Sequence, residues 1–188
     1  MHRLVLSACA AISIALLSGC FNVRTAKPIA EKSDPELAKK LSGMWQSGGD
    51  SPVVLVEVDQ GGVLQFATVK WSQQSGKFEM ERAVGIVTQT PAGALLSVQG
   101  PEEKDWGLAR LSMADDGRFG VGAEASQGWF DKAIAAGRLR GTIKEGKPTV
   151  VTSSREEIIE VLRKAIVDHE APFEHHNALI RIAKPEWK

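Results

Sequence analysis

The sequence predicts a mainly β domain with some α: an antiparallel meander or small β-barrel, with a short N-terminal helix and one amphipathic helix near the C-terminus. Two observations carry this expectation. Between residues 52 and 124, apolar and polar residues alternate in short runs divided by turns rich in Gly, Asp and Pro, which is the period of strands. From residue 154 the period becomes helical, with Ile158, Ile159, Leu162, Ala165 and Ile166 forming one stripe.

Taken in order, Met1-His2-Arg3 is a short positive start, and Leu4 to Leu17 is an apolar run interrupted only by Ser7 and Ser13. This pattern fits a secretory signal over residues 1–19. It is too short to span a bilayer as a helix, which takes about 20 apolar residues. Residues 21–33 hold Asn22, Arg24, Lys27 and Pro28 among few apolar groups and read, with Cys20, as a flexible tether. Extended at roughly 3.3 Å per residue, that segment reaches about 43 Å.

Residues 34–188 read as a single β-rich domain. Asp34-Pro35 supplies an N-cap and a proline suited to the first helical position, Leu37 and Leu41 share a face, and Gly43 ends the turn. Strands then follow at 52–58, 63–71, 77–89, 94–99, 106–113 and 118–124. In the third of these, Phe78, Met80, Val84 and Ile86 fall on one face. Short turns between neighbours make the run a meander whose polar faces meet solvent on one side. Residues 128–136 predict a short helix, and 139–143 with 149–151 a hairpin. Ser153-Ser154-Arg155-Glu156-Glu157 offers a capping box in two registers for a helix over 154–168. Ala171-Pro172 ends that helix, and Leu179 to Ala183 is a last strand.

Leu17-Ser18-Gly19-Cys20 resembles the lipobox of bacterial lipoproteins, a Leu, a small residue, Gly or Ala, then Cys. The resemblance implies that the Cys20 thiol carries diacylglycerol and that cleavage frees an amine open to acylation. Two or three chains anchor stably where one does not, at about 0.8 kcal/mol per buried methylene. Phe21, rather than Asp, after the cysteine implies the outer membrane, with the domain facing the periplasm. Cys9 leaves with the signal and Cys20 is consumed by lipid, so the processed chain is expected to have no disulfide and must rely on its core. Loss of Arg3 leaves 22 basic against 23 acidic groups, about −1, a balance that argues against a nucleic-acid partner.

Gly43-Met44-Trp45, set between a short helix and a strand, resembles the Gly-x-Trp signature of lipocalins. In that family the tryptophan closes one end of an eight-stranded barrel and a late arginine packs across its ring; Arg181 matches that arginine. The chain departs from the family in placing hairpin and helix material before its last strand, so a related small barrel or half-barrel stays open beside a lipocalin-like one. Trp45, Trp71, Trp106 and Trp129 either line an apolar pocket or fill the core.

His169, His175 and His176, with Glu170 and Glu174, form the densest group of potential metal ligands. Their spacing fits no zinc motif, and a solvated loop is the plainer reading, so no metal site and no cofactor are expected. No nucleophile elbow, Ser-x-x-Lys or phosphate loop occurs. The expected function is a non-enzymatic, lipid-anchored envelope module that binds the membrane through its anchor and holds a small apolar ligand or an envelope protein. The alternatives are a metal-dependent hydrolase using those histidines, and a structural envelope lipoprotein with no ligand.

Overall fold

The computed structural model describes residues 21–46, 52–73 and 75–182, without the side chains of Lys70, His175, His176 and Asn177. The predicted signal segment, Cys20 and Ala183 at the end of the predicted last strand lie outside the described residues. In chain order the elements are β1 (Val23–Thr25), α1 (Pro35–Leu41), β2 (Gly43–Gln46), β3 (Val53–Val58), β4 (Leu64–Ser72), β5 (Lys77–Thr90), β6 (Gly93–Gln99), β7 (Trp106–Met113), β8 (Phe119–Ala125), α2 (Gln127–Ala135), β9 (Gly141–Thr142), β10 (Thr149–Val151), α3 (Arg155–Val167) and β11 (Phe173–Ile182).

Eight strands close into an antiparallel barrel. Going round the wall, β2 to β8 follow in sequence order, and β11 enters between β8 and β2. The meander is therefore a barrel rather than an open sheet, and closure pairs the two strands that would otherwise be edges. Alternation along each strand sends one side chain in two to the interior, where Val56, Leu64, Val87, Leu96, Ala109 and Leu111 form a common core.

Phe78, Met80, Val84 and Ile86 share one face of β5, as expected, and it is the outward face of the barrel. Ala83, Gly85 and Val87 lie on the inward face, and Phe78 and Met80 face outwards with 73% and 57% of their surface exposed. Barrel width explains the choice. Phe66 of β4 reaches across the interior towards β5, and a Cβ on Gly85 would fall 2.5 Å from Phe66 Cε2, so the facing positions are small.

A second core lies outside the barrel. Leu95, Leu108 and Ala123, on the outer faces of β6 to β8, pack with Phe130 of α2 and with Ile158 and Leu162 of α3. The 153–157 capping box resolves to its second register: Ser154 Oγ accepts from Glu157 N–H at 3.3 Å, and Glu157 Oε2 accepts from Ser154 N–H at 2.7 Å.

Residues 21–33 are not a free tether, and the packed domain reaches back to Phe21. Val23–Thr25 is a strand, parallel to β10 and antiparallel to β7, and Phe21, Val23, Thr25 and Ile29 are each at most 3% exposed. Ser33 and Asp34 continue the packing, bonding the backbone of Gly62 and Val87. The physical reason is a period of two in Phe21, Val23 and Thr25, which forms a short strand that pairs with the start of β7 at Trp106 and Gly107, ahead of the β7–β8 pairing that begins at Ala109. The last strand is also longer than expected. It starts at Phe173 rather than Leu179 and pairs with β8 across a bulge between Glu174 and His176, so the expected solvated loop over the histidines is largely strand.

Candidate functional site

The end of the barrel beside α1 is built around Trp45. Asp34 caps α1, its Oδ1 accepting from the N–H groups of Glu36 and Leu37 at 3.0 and 3.1 Å, and Pro35 stands at the first helical position. The helix directs Ala38 and Leu41 into the barrel core. Trp45, 2% exposed, donates its indole N–H to the Leu41 carbonyl at 2.6 Å. Arg181 of β11 pairs with Trp45 in register and places its guanidinium carbon 5.1 Å from the ring centroid. The same guanidinium donates to the carbonyls of Lys40, at 3.0 Å, and Ser42. It therefore takes up C-terminal carbonyls of α1 that the helix cannot satisfy itself.

Gly43 makes this closure possible. Its φ is +135°, a conformation L side chains rarely adopt, and a Cβ there would fall 3.1 Å from Arg181 Nε. The glycine and tryptophan of Gly43-Met44-Trp45 thus have separate physical roles, one opening a path for the arginine and the other lying under it.

Directly above this plug the described side chains are apolar and leave little space. Trp45, Val54, Phe66, Leu96, Val98 and Leu179 are among the side chains around a residual space of about 50 Å³. Pockets for small organic ligands run to roughly 300–1,000 Å³, so this space holds a water or two and no more. At the other end the core is completed by Phe21, whose ring lies against the backbone of Gly107 so closely that a Cβ there would overlap it. The inward position Glu124 is 9% exposed and Thr68 is 1% exposed, and Thr68 Oγ1 has no hydrogen-bond partner among the described residues.

The other tryptophans do not line this interior, contrary to the sequence expectation of a shared pocket or core. Trp71 sits on the outward face of β4, 55% exposed, stacked edge-on against Phe78 with ring centroids 5.0 Å apart. Trp106 is half-buried where β7 begins, and its carbonyl accepts from Thr25 Oγ1 at 3.4 Å. Trp129 is half-buried on α2, where Arg138 lies 5.1 Å from its ring centroid and its indole N–H donates to Glu170. Strand parity decides the outcome for Trp71, and Trp129 belongs to a helix packed outside the wall. The Arg138 hydrogen bond, at 2.9 Å, and then the Trp129 hydrogen bond hold the Glu170 carboxyl below its usual range.

A cleft of about 500 Å³ separates residues 25–31 from the start of α3. The helix end there is taken by its own capping box, and Arg140 is paired to Glu157 at 2.7 Å. That hydrogen bond chiefly lowers the Glu157 carboxyl below its usual range. Among the described residues no three His, Cys, Asp or Glu side chains are grouped to hold a metal; the side chains of His175 and His176 lie outside them. His169 ends α3 with φ +59°.

No protein-family model, no curated protein and no solved structure matches this chain.

Proposed function

We propose that this protein is a lipid-anchored component of the bacterial cell envelope that acts through the surface of its barrel, as a non-enzymatic interaction module rather than a carrier of an enclosed ligand. The observation behind this reading is how little space, about 50 Å³, the described side chains leave around Trp45 and Phe66. Of the two occupants the sequence allowed, an envelope partner is favoured, because the space among the described side chains around Trp45 and Phe66 is too small for an apolar ligand. The anchor rests on Leu17-Ser18-Gly19-Cys20 and implies attachment to the outer membrane facing the periplasm.

The eight-stranded course, Trp45 at one end and Arg181 across its ring make the domain similar in plan to a lipocalin-like barrel. The insertion of α2, β9, β10 and α3 before the last barrel strand departs from that plan. The metal-dependent hydrolase draws no support from the described side chains.

Mass spectrometry on the full chain expressed in a bacterium tests both parts. The expected results are an N-terminal peptide beginning at an acylated Cys20 and, in the intact mass under native conditions, no small molecule beyond those acyl chains. A stoichiometric ligand that survives purification, and is released when Phe66→Trp fills the interior, would overturn the surface reading. An unmodified cysteine would overturn the anchor.

A further inference from the structure

Among the described residues the β4–β5 hairpin runs past the rest of the wall. Its two strands pair as far as Ser72 with Lys77, whereas β6 leaves β5 at Gln99 with Val84 and β3 leaves β4 at Val53 with Val69. Residues 77–83 of β5 therefore extend beyond β6, about 23 Å of strand at roughly 3.3 Å per residue. The ribbon is two-faced. Val69 pairs with Met80 and Trp71 with Phe78 on the outward face, with 43%, 57%, 55% and 73% of each side chain's residue exposed. Thr68, Glu79 and Glu81 fall on the opposite face by alternation. Four large apolar residues clustered in water at a projecting tip are a surface that monomeric domains rarely leave uncovered.

The fold brings the start of the domain to the same rim. Successive barrel strands alternate in direction, so the β4–β5 and β6–β7 connections lie at one end and α1 with Trp45 at the other. Phe21 sits at the first of these ends, its ring against Gly107, the second residue of β7. Cys20 directly precedes Phe21 in the sequence, so covalent geometry holds its Cα about 3.8 Å from that of Phe21. Acyl chains on Cys20 would draw this rim to the bilayer and carry the hairpin tip with it. Tryptophan and phenylalanine at such a position match the amphipathic and apolar groups that settle at a membrane interface.

We infer that the outward face of the β4–β5 hairpin, formed by Val69, Trp71, Phe78 and Met80, is a second membrane contact that lies in the interfacial layer of the bilayer holding the Cys20 acyl chains. It sets the orientation of the domain, which lipid chains by themselves leave free. This inference rests on the anchor proposed above.

The full chain, produced in a bacterium that processes lipoproteins, carries Phe78→Cys or, in the turn at the opposite end, Gln60→Cys. Both positions are exposed, so neither change disturbs the core. Each thiol is labelled with nitrobenzoxadiazole and the protein is reconstituted in phosphatidylethanolamine–phosphatidylglycerol vesicles, with the Cys20 peptide weighed separately. The dye at position 78 is expected to shift to the blue and to be quenched by doxyl-labelled lipid, and the dye at position 60 to do neither. An acylated Cys20 with an unquenched dye at position 78 overturns the hairpin contact and leaves the anchor standing. An unmodified Cys20 overturns the anchor, and the bilayer as occupant falls with it. Unlabelled Phe78→Cys chains that disulfide-link to one another in the vesicles would assign the face to a second copy and likewise overturn the inference.

Discussion

Phe21→Ala and Gly107→Ala form a pair whose energies are coupled by one contact. Phe21 is 3% exposed inside the barrel core, so truncation empties most of a benzyl group's volume at a cost of about 3–5 kcal/mol. For a domain of this size about 2–4 °C of melting temperature goes with each kcal/mol, so the midpoint should fall by roughly 10 °C. Gly107→Ala acts from the other side. Its Cβ would overlap the Phe21 ring, which must move out of a packed interior, a change worth about 1–3 kcal/mol. In the double variant the ring is gone, and the alanine should add less than about 0.5 kcal/mol. The coupling energy is then about 1–3 kcal/mol, in the range seen for residues in direct contact. Urea unfolding of the four proteins, followed by far-ultraviolet circular dichroism and fitted with a shared slope, measures it. Additive costs, or a Phe21→Ala cost under about 1 kcal/mol, would refute the placement of Phe21 inside the barrel and restore the segment as a tether.

Arg181→Leu should destabilise by about 2 kcal/mol, because it removes both the stacking on Trp45 and the charged donor to the Lys40 and Ser42 carbonyls; near-ultraviolet circular dichroism of the tryptophans should weaken with it. An Arg181→Leu protein with the wild-type unfolding midpoint contradicts the plug. His169→Gly should stabilise by about 0.5–1 kcal/mol, since φ +59° at the end of α3 is free of penalty for glycine, and a urea midpoint that falls instead would count against the assigned conformation. Glu170 has its folded pKa below the usual 4.5, so its ion pair contributes stability above that value and loses it as the pH falls through the lower folded pKa. Glu170→Gln should therefore differ from the wild type at neutral pH, with the difference shrinking in acid; urea midpoints across that range check it.

Much of the fold could be read from local patterns. The Asp34-Pro35 start of α1, the strand sequence from Val53 to Ala125, the β9–β10 hairpin and the capped α3 all depend on residues within a few positions of each other, and all are present. Of the candidate site residues, Trp45 and Arg181 come together, and Gly43 acquires a reason for being glycine. The remaining tryptophans do not converge. Sequence spacing cannot say which face of β4 meets the interior, and Trp71 went outwards with Phe78 because Phe66 and Leu64 hold the inward parity. Phe21 was missed although the period of two through Phe21, Val23 and Thr25 was available, because three alternating residues in a charged stretch are a weak signal until a neighbouring strand exists to pair with them.

By itself the sequence determined the β-rich class, the helix ends and the lipobox resemblance at Cys20, all of which follow from contiguous residues. Tertiary structure alone decided that the meander closes on itself, that the described side chains leave little space around Trp45 and Phe66, and that an apolar hairpin face stands at the rim where the described chain begins. The physical reason is that closure, filling and exposure depend on register between strands far apart in the chain. One residue of slip would exchange every inward side chain for an outward one.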